Sequence, residues 1–170
     1  MTSLTIFIII MTISMGAILG VFDANRRSQS ESVVMNNLNL AVESMAREMR
    51  FGINYHCGSS GDITVPQNCA QGNTFISFLT SDGVQMVYRL NGNSIERSTD
   101  GGLSYLAVTA PEIVVENLTF YVLGGGAPPA NLNQPKTLIT LKGHAGDKVG
   151  TQTVFSLQTL VSQRRLDNGQ

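Results

Sequence analysis

The sequence has few of the residues that usually carry catalysis or hold metal ions. Its 170 residues include no tryptophan, two histidines and two cysteines. Three motifs are also missing: the GxSxG of α/β-hydrolases, the HExxH of zinc peptidases and a glycine loop followed by Lys-Ser/Thr. We therefore expect no catalytic residue, no bound cofactor and no metal site, and we expect His56 and His144 to be solvated loop residues.

Charged side chains are also scarce. They make up 14% of the chain, whereas soluble domains average about 25%. The formal net charge is −1, which gives no reason to expect a nucleic-acid partner or a general attraction to anionic lipid surfaces. Polarity comes mainly from Ser, Thr, Asn, Gln and Gly, a composition common outside the cytoplasm, and the length suits one ordinary domain with an appendage.

The first 22 residues, MTSLTIFIIIMTISMGAILGVF, contain no charged side chain. As a helix, residues 4–22 would be about 28 Å long, close to the roughly 30 Å hydrocarbon core of a bilayer. A buried core helix need not be apolar on every face, and a cleaved signal peptide would carry a basic n-region and a shorter apolar stretch. Both alternatives stay open, but the pattern favours a membrane-spanning helix over residues 1–22.

Three small residues recur every four positions within this segment, at Thr12, Gly16 and Gly20. In water, a glycine inside a helix costs about 1 kcal/mol relative to alanine. In lipid, small residues on one face allow a second helix to approach closely. The spacing therefore predicts a helix–helix assembly face, although short apolar sequences also contain glycines by chance.

The helical pattern continues beyond the apolar segment, because residues 23–51 contain neither proline nor glycine. Apolar residues then form a single stripe at helical spacing, at Val34, Leu38, Ala41, Met45 and Met49. Gly52 is a natural helix terminator. We predict one helix from about residue 3 to 51, in which residues 23–51 form an amphipathic, extracytoplasmic part whose stripe packs on a sheet.

After Gly72 the pattern changes to the alternation of β-strands. The predicted strands are TFISFLT, VQMVYRL, SIERST, YLAVT, EIVVENLTFYVL, KTLITLK and TQTVFSLQTLV. Turn signals such as Ser81-Asp82-Gly83 and the Gly- and Pro-rich residues 124–135 separate them. We therefore predict an α+β fold in which residues 52–170 form an antiparallel β domain, with one face of the sheet covered by the amphipathic helix.

Cys57 and Cys69 enclose eleven residues rich in turn formers. A disulfide between them would stabilise the fold by about 3 kcal/mol on the chain-entropy model and would place the β domain outside the cytoplasm. Free thiols are the main alternative. A zinc site is a weaker one, because only His56 adjoins the pair.

The continuous helix followed by an antiparallel sheet resembles the type IV pilin and type II secretion pseudopilin superfamily. TIFIIIMTISMGAILGVF is similar to the later part of the conserved pilin helix. The strands in FISFLTSDGVQMVYRLNGNSIERS, APEIVVENLTFYV and FSLQTLVSQRR resemble those of J-type minor pseudopilins and related minor pilins. The resemblance implies a non-enzymatic subunit of a type II secretion or type IV pilus filament that assembles through its N-terminal helix.

The same resemblance implies a location and a set of partners. The chain would cross the cytoplasmic membrane once, with its β domain extracytoplasmic, and would enter a surface filament or pseudopilus after assembly. Its partners would be the lipid bilayer, other pilin or pseudopilin subunits, the inner-membrane assembly platform and, if a leader exists upstream, prepilin peptidase. The alternative from another class is a bitopic membrane-anchored protein that binds an extracytoplasmic ligand without assembling.

The chain departs from the family at its start. The family has a basic leader ending in Gly, followed by Phe or Met and then a Glu four residues later, whereas here position 5 is Thr5. Arg26 and Arg27, the charges that flank the span, would by the positive-inside tendency place the β domain in the cytoplasm. A basic leader upstream would reverse that orientation. We therefore expect the start of the sequence to be truncated or misassigned, with Met1 inside the mature helix.

Overall fold

A computed structural model describes residues 2–126, 133–146 and 152–164 of the chain. Helix α1 spans Thr2–Phe51 without interruption, which confirms the prediction of one long N-terminal helix. The chain divides into two compact units, Met1–Asn36 and Asn37–Gln170, so their boundary lies within α1. The predicted division at residues 22 and 51 stays a prediction.

Helix α1 ends where its backbone turns into the β domain. The Gly52 amide donates a hydrogen bond to the Met49 carbonyl at 2.9 Å. A Cβ atom on Gly52 would lie 2.5 Å from Cδ2 of Phe78, so a larger residue here would displace a buried ring. The close approach of the chain to Phe78 therefore favours glycine here, although Gly52 does not adopt the left-handed conformation of a typical glycine C-cap.

Nine strands follow in two antiparallel sheets within the described residues. They are β1 (Ile53–Cys57), β2 (Cys69–Asn73), β3 (Phe75–Leu79), β4 (Gln85–Asn91), β5 (Ser94–Ser98), β6 (Leu106–Ala107), β7 (Ile113–Leu123), β8 (Lys136–Ala145) and β9 (Thr153–Ser162). The first sheet has the order β1-β3-β4-β5-β6 and the second β2-β7-β8-β9.

The α+β class and the antiparallel strands predicted from the sequence are confirmed. The prediction was wrong in starting the strands after Gly72, because β1 and the first three of the five residues of β2 precede it. It was also wrong in placing the strands in one sheet. Local alternation identifies strands, whereas long-range pairing assigns them to sheets, and that pairing is not visible in a single sequence.

The second sheet is built on two long ladders. Strand β7 pairs with β8 from Ile113 opposite Ala145 to Leu123 opposite Lys136, with one irregularity near Asn117. Strand β8 pairs with β9 over ten consecutive residue pairs without a register shift. Strand β9 is therefore an edge of this sheet among the described strands.

The core lies where the later half of α1 meets the two sheets. Leu38, Met45 and Met49 on the helix are 0% exposed. Tyr88 and Phe78 of the first sheet and Ile139 and Leu141 of the second are also buried. Burying one large apolar side chain contributes about 1.5–3 kcal/mol, so these helical residues stabilise the β domain substantially.

Candidate functional site

The first part of α1 is the most unusual surface of the protein. Residues Thr2–Asn25 form an apolar helical segment of 24 residues whose side chains are not buried. Ile13 and Leu19, for example, are 68% and 61% exposed. By length and composition this segment has the properties of a membrane anchor or of a signal sequence.

The three small residues of this segment are open to a neighbour. Apart from the neighbouring residues and the adjacent backbone of the helix itself, no described atom lies within 4 Å of the position that a Cβ atom would take on Gly16 or Gly20. Thr12 donates its hydroxyl to the Ile8 carbonyl at 2.7 Å, so its polar group is satisfied within the helix and costs little in lipid. The role of Thr12, Gly16 and Gly20 in helix–helix assembly stays a prediction.

The stripe predicted to pack on the sheet divides between the two compact units. Val34 lies in the first unit and is half-buried, whereas the other members lie in the second. Leu38, Ala41, Met45 and Met49 are at most 6% exposed. Polar side chains also contact the later half of α1, and the sequence pattern did not identify them.

Glu48 is the centre of that polar contact. The Tyr88 hydroxyl donates a hydrogen bond to Glu48 Oε2 at 2.5 Å, and Arg97 donates to Glu48 Oε1 at 3.0 Å. Tyr88 is fully buried, and its burial, followed by the neighbouring Glu48 carboxylate, raises the pKa of its phenol. The cluster links α1 to β4 and β5 across 40 and 49 residues of sequence, a separation that no local pattern reveals.

A second tyrosine ties the end of the helix to β1. Tyr55 is 1% exposed, and its hydroxyl donates a hydrogen bond to the Met49 carbonyl. Met49 thus contributes a buried side chain to the core and an acceptor to the end of the helix, where backbone carbonyls lack helical partners. Burial raises the pKa of Tyr55 as well.

The disulfide predicted between Cys57 and Cys69 is present, with a Cα–Cα distance of 5.7 Å. Cys57 ends β1 of the first sheet and Cys69 begins β2 of the second, so the bond joins the two sheets. The enclosed loop also bonds back to β1, because the Gln67 side chain donates to the Cys57 carbonyl at 2.9 Å.

His56 and His144 are not the solvated loop residues that we expected from the sequence. His56 lies in β1 and is 2% exposed, with Nδ1 2.7 Å from the Val65 carbonyl and Nε2 3.1 Å from the Ser60 carbonyl. The imidazole therefore bridges two points of the disulfide loop. His144 lies in β8 and pairs with Glu116 at 2.8 Å.

Asp62 and Asp100 accept hydrogen bonds from backbone amides a few residues further along the chain. Asp100 accepts hydrogen bonds from the Leu103 and Ser104 amides and from the Ser104 hydroxyl, and the Ser104 hydroxyl is the main cause of its lowered pKa. Asp62 accepts from the Thr64 hydroxyl, which lowers its pKa. Asp147 lies outside the described residues. Within the described ranges no three His, Cys, Asp or Glu side chains are grouped to hold a metal ion.

In the described part of the chain, two open grooves flank the buried half of α1. The first, about 380 Å³, lies between α1 and strands β8 and β9, with apolar walls from Val42, Ala46, Ile139, Leu141 and Leu157. We call it the β9 groove. The second, about 420 Å³, lies beside the β3–β4 turn and includes Phe51, Val84 and Met86.

Comparison with known proteins gives no further identification. No family model matches the sequence, and no curated protein or solved structure matches the chain. The fold and surfaces define the class: an α+β protein whose long N-terminal helix begins with an exposed apolar segment and leads into two sheets joined by a disulfide.

Proposed function

We propose that the protein is a minor pilin or pseudopilin, a non-enzymatic subunit of a type IV pilus or type II secretion filament. The observation that carries the proposal is the continuity of α1. One helix begins with an exposed, predominantly apolar segment of 24 residues, and its later half contains the fully buried side chains of Leu38, Met45 and Met49. Such a helix can serve in lipid at one end and in a water-soluble domain at the other.

The small-residue face of α1 supplies the means of assembly in this proposal. The subunit would wait in the cytoplasmic membrane with its β domain extracytoplasmic, and the helices of neighbouring subunits would pack against Thr12, Gly16 and Gly20. Repeated contacts of this heterologous kind give an open helical fibre when they do not close into a ring. The partners are then other pilin or pseudopilin subunits and the inner-membrane assembly platform.

Substitution of the two glycines tests the proposal. In the full-length chain, co-expressed with the pilin-like genes beside it, Gly16→Ile combined with Gly20→Ile keeps the segment apolar but separates the helix backbones. A loss on the order of 1 kcal/mol per contact should weaken co-purification of neighbouring subunits about tenfold or more and reduce filament or secretion output. Ala17→Ile, in the same span but off this face, is the matched control.

Parental co-purification and output in the double isoleucine variant would contradict assembly through this face. They would favour the alternative of a bitopic membrane-anchored protein that binds an extracytoplasmic ligand without assembling. The nucleotide sequence upstream of Met1 gives an independent check. An in-frame basic leader ending in Gly, followed by Phe or Met and a Glu, would support the pilin proposal and processing by prepilin peptidase.

A further inference from the structure

Strand β9 forms a long sheet edge that no other described strand covers. Its ten residues, TVFSLQTLVS, contain no charged residue and no proline, and they pair with β8 without a bulge. No described strand pairs with its other side. An edge of this kind exposes unsatisfied backbone donors and acceptors, and proteins usually protect it with charges, proline or a bulge.

The described strands of the second sheet also leave part of helix α1 uncovered, beside β9. On the inward face of β9, Phe155 and Val161 are buried, whereas Leu157 and Thr159 between them are only half-buried. Both half-buried residues line the β9 groove. Gln158, which points to the opposite face, lines it too, so the groove opens around the strand edge. A further strand beside β9 would place alternate side chains over Val42 and Ala46.

One end of the β9 groove carries a positive charge, because Arg50 is among its lining residues. The Arg164 amide donates to the Arg50 carbonyl at 2.8 Å, which brings the end of α1 and the end of β9 together. Neither Arg50 nor Arg164 forms an ion pair with another described residue. Glu43, farther along the groove, already lies 3.5 Å from Arg47. An acidic group on an occupant would therefore be attracted to the Arg50 end.

We propose that β9 accepts an extended segment of another protein as a fifth, antiparallel strand of the second sheet. The segment has apolar side chains at alternate positions, which fill the β9 groove, and an acidic residue at its N-terminal end, beside Arg50 and Arg164. Backbone hydrogen bonds supply affinity and the alternate side chains supply specificity, as in other strand-addition complexes. The proposal does not depend on the protein being a pilin.

A synthetic peptide tests this directly. The probe is acetyl-Asp-Thr-Val-Thr-Leu-Thr-Val-Thr-amide carrying a fluorophore, and the target is the full-length chain in lipid nanodiscs, with empty nanodiscs as the blank. Anisotropy should show saturable binding. A probe with N-methyl groups on alternate amides keeps the side chains but loses the backbone hydrogen bonds, so its affinity should fall about tenfold or more.

Variants of the chain locate the binding surface. Val42→Lys places a charge in the β9 groove and should weaken the parent probe about tenfold or more. Leu40→Lys is the matched control, because Leu40 is 65% exposed and lies outside the groove, and it should bind like the parent. Replacing the probe's Asp by Asn should weaken binding to the parent chain but make no difference to the Arg50→Gln, Arg164→Gln double variant.

Three results would overturn the proposal. One is the absence of saturable binding to the parent chain, and another is equal binding of the methylated and parent probes. The third is self-association of the chain that Val42→Lys abolishes while the probe fails to bind, since the occupant would then be a second copy. The methylated probe is measured on the unaltered chain, so this comparison holds even if a variant fails to fold.

Discussion

Tyr88 donates its hydroxyl to Glu48 at 2.5 Å, and this partly buried contact connects strand β4 to helix α1. The carboxylate is shared, because its other oxygen accepts from Arg97 at 3.0 Å. One phenol and one guanidinium therefore fix the rotamer of a glutamate that lies next to the buried Met49. The polar contacts of Glu48 and the buried side chain of Met49 therefore both attach the same turn of α1 to the β domain.

Replacing Tyr88 by phenylalanine should lower the free energy of unfolding by about 1.5–3 kcal/mol, the usual contribution of a hydrogen bond to a charged group. The ring still fills its site, so the loss comes from the missing hydroxyl. Urea unfolding of the full-length chain in detergent measures the change. Tyr121→Phe is the control, since the Tyr121 side chain is only half-buried in β7. Equal stability of Tyr88→Phe and the parent would contradict the contact.

Alkaline pH should destabilise the protein through its two buried tyrosines. Burial raises the pKa values of Tyr55 and Tyr88 above that of an unfolded tyrosine. Their contribution is therefore fully present below about pH 10 and is lost as pH rises above it, with a slope of up to about 1.4 kcal/mol per pH unit for each tyrosine. Urea unfolding is measured at a series of pH values below and above about 10, for the parent and for the Tyr55→Phe, Tyr88→Phe double variant. The free energy of unfolding should fall more steeply with rising pH in the parent. If the two plots of unfolding free energy against pH were parallel, folding would not change the pKa values of these phenols.

Oxidation of Cys57 and Cys69 should be visible in the intact protein. Mass spectrometry without reductant should give a mass about two units below the dithiol, because one bond removes two hydrogens. Reduction should lower the free energy of unfolding by about 3 kcal/mol. A Cys57→Ser, Cys69→Ser variant should be similarly weakened and insensitive to reductant. Free alkylation of both thiols under native conditions would contradict this prediction.

The β domain should fold without the apolar segment. We expect residues 29–170 to give a soluble monomer with a cooperative thermal transition. In that fragment Met45→Asp should abolish the transition, since an unpaired charge buried at a fully covered site costs several kcal/mol out of a total of about 5–15 kcal/mol. Leu40→Asp, on the exposed side of the same helix, should melt like the parent. A cooperative parental transition in Met45→Asp would show that this face of the helix is not buried.

The sequence was most informative where structure depends on neighbouring residues. Helix α1 has no helix breaker between Gly20 and Gly52, so its later half and its end were predictable. Strands β3, β4 and β5 are short runs bounded by turn residues such as Ser81-Asp82-Gly83, and these boundaries made the strands recognisable. Strand β2, CAQGN, was missed because its glycine has a φ of 82° and its side chains show little alternation.

The contacts that build the candidate site were harder to predict. Glu48 meets its partners from 40 and 49 residues away, and a charged residue beside an apolar stripe normally faces water. The turn-rich context of His56 suggested exposure, but the disulfide loop folds back over the ring and brings two carbonyl groups to it. The β9 groove depends on which strand lies at the sheet edge, and pairing order alone determines that.

The disulfide between the sheets also determines how the protein would carry a mechanical load. A pull on helix α1 enters the β domain through Gly52 and β1, and Cys57 at the end of that strand passes it covalently to β2 in the other sheet. Both sheets then resist the pull together, and neither can slide away from the other at this junction while the bond is intact. In the reduced protein the covalent route from β1 to β2 would run through the whole loop of residues 58–68, so side-chain packing and hydrogen bonds would bear the force until that loop was drawn taut.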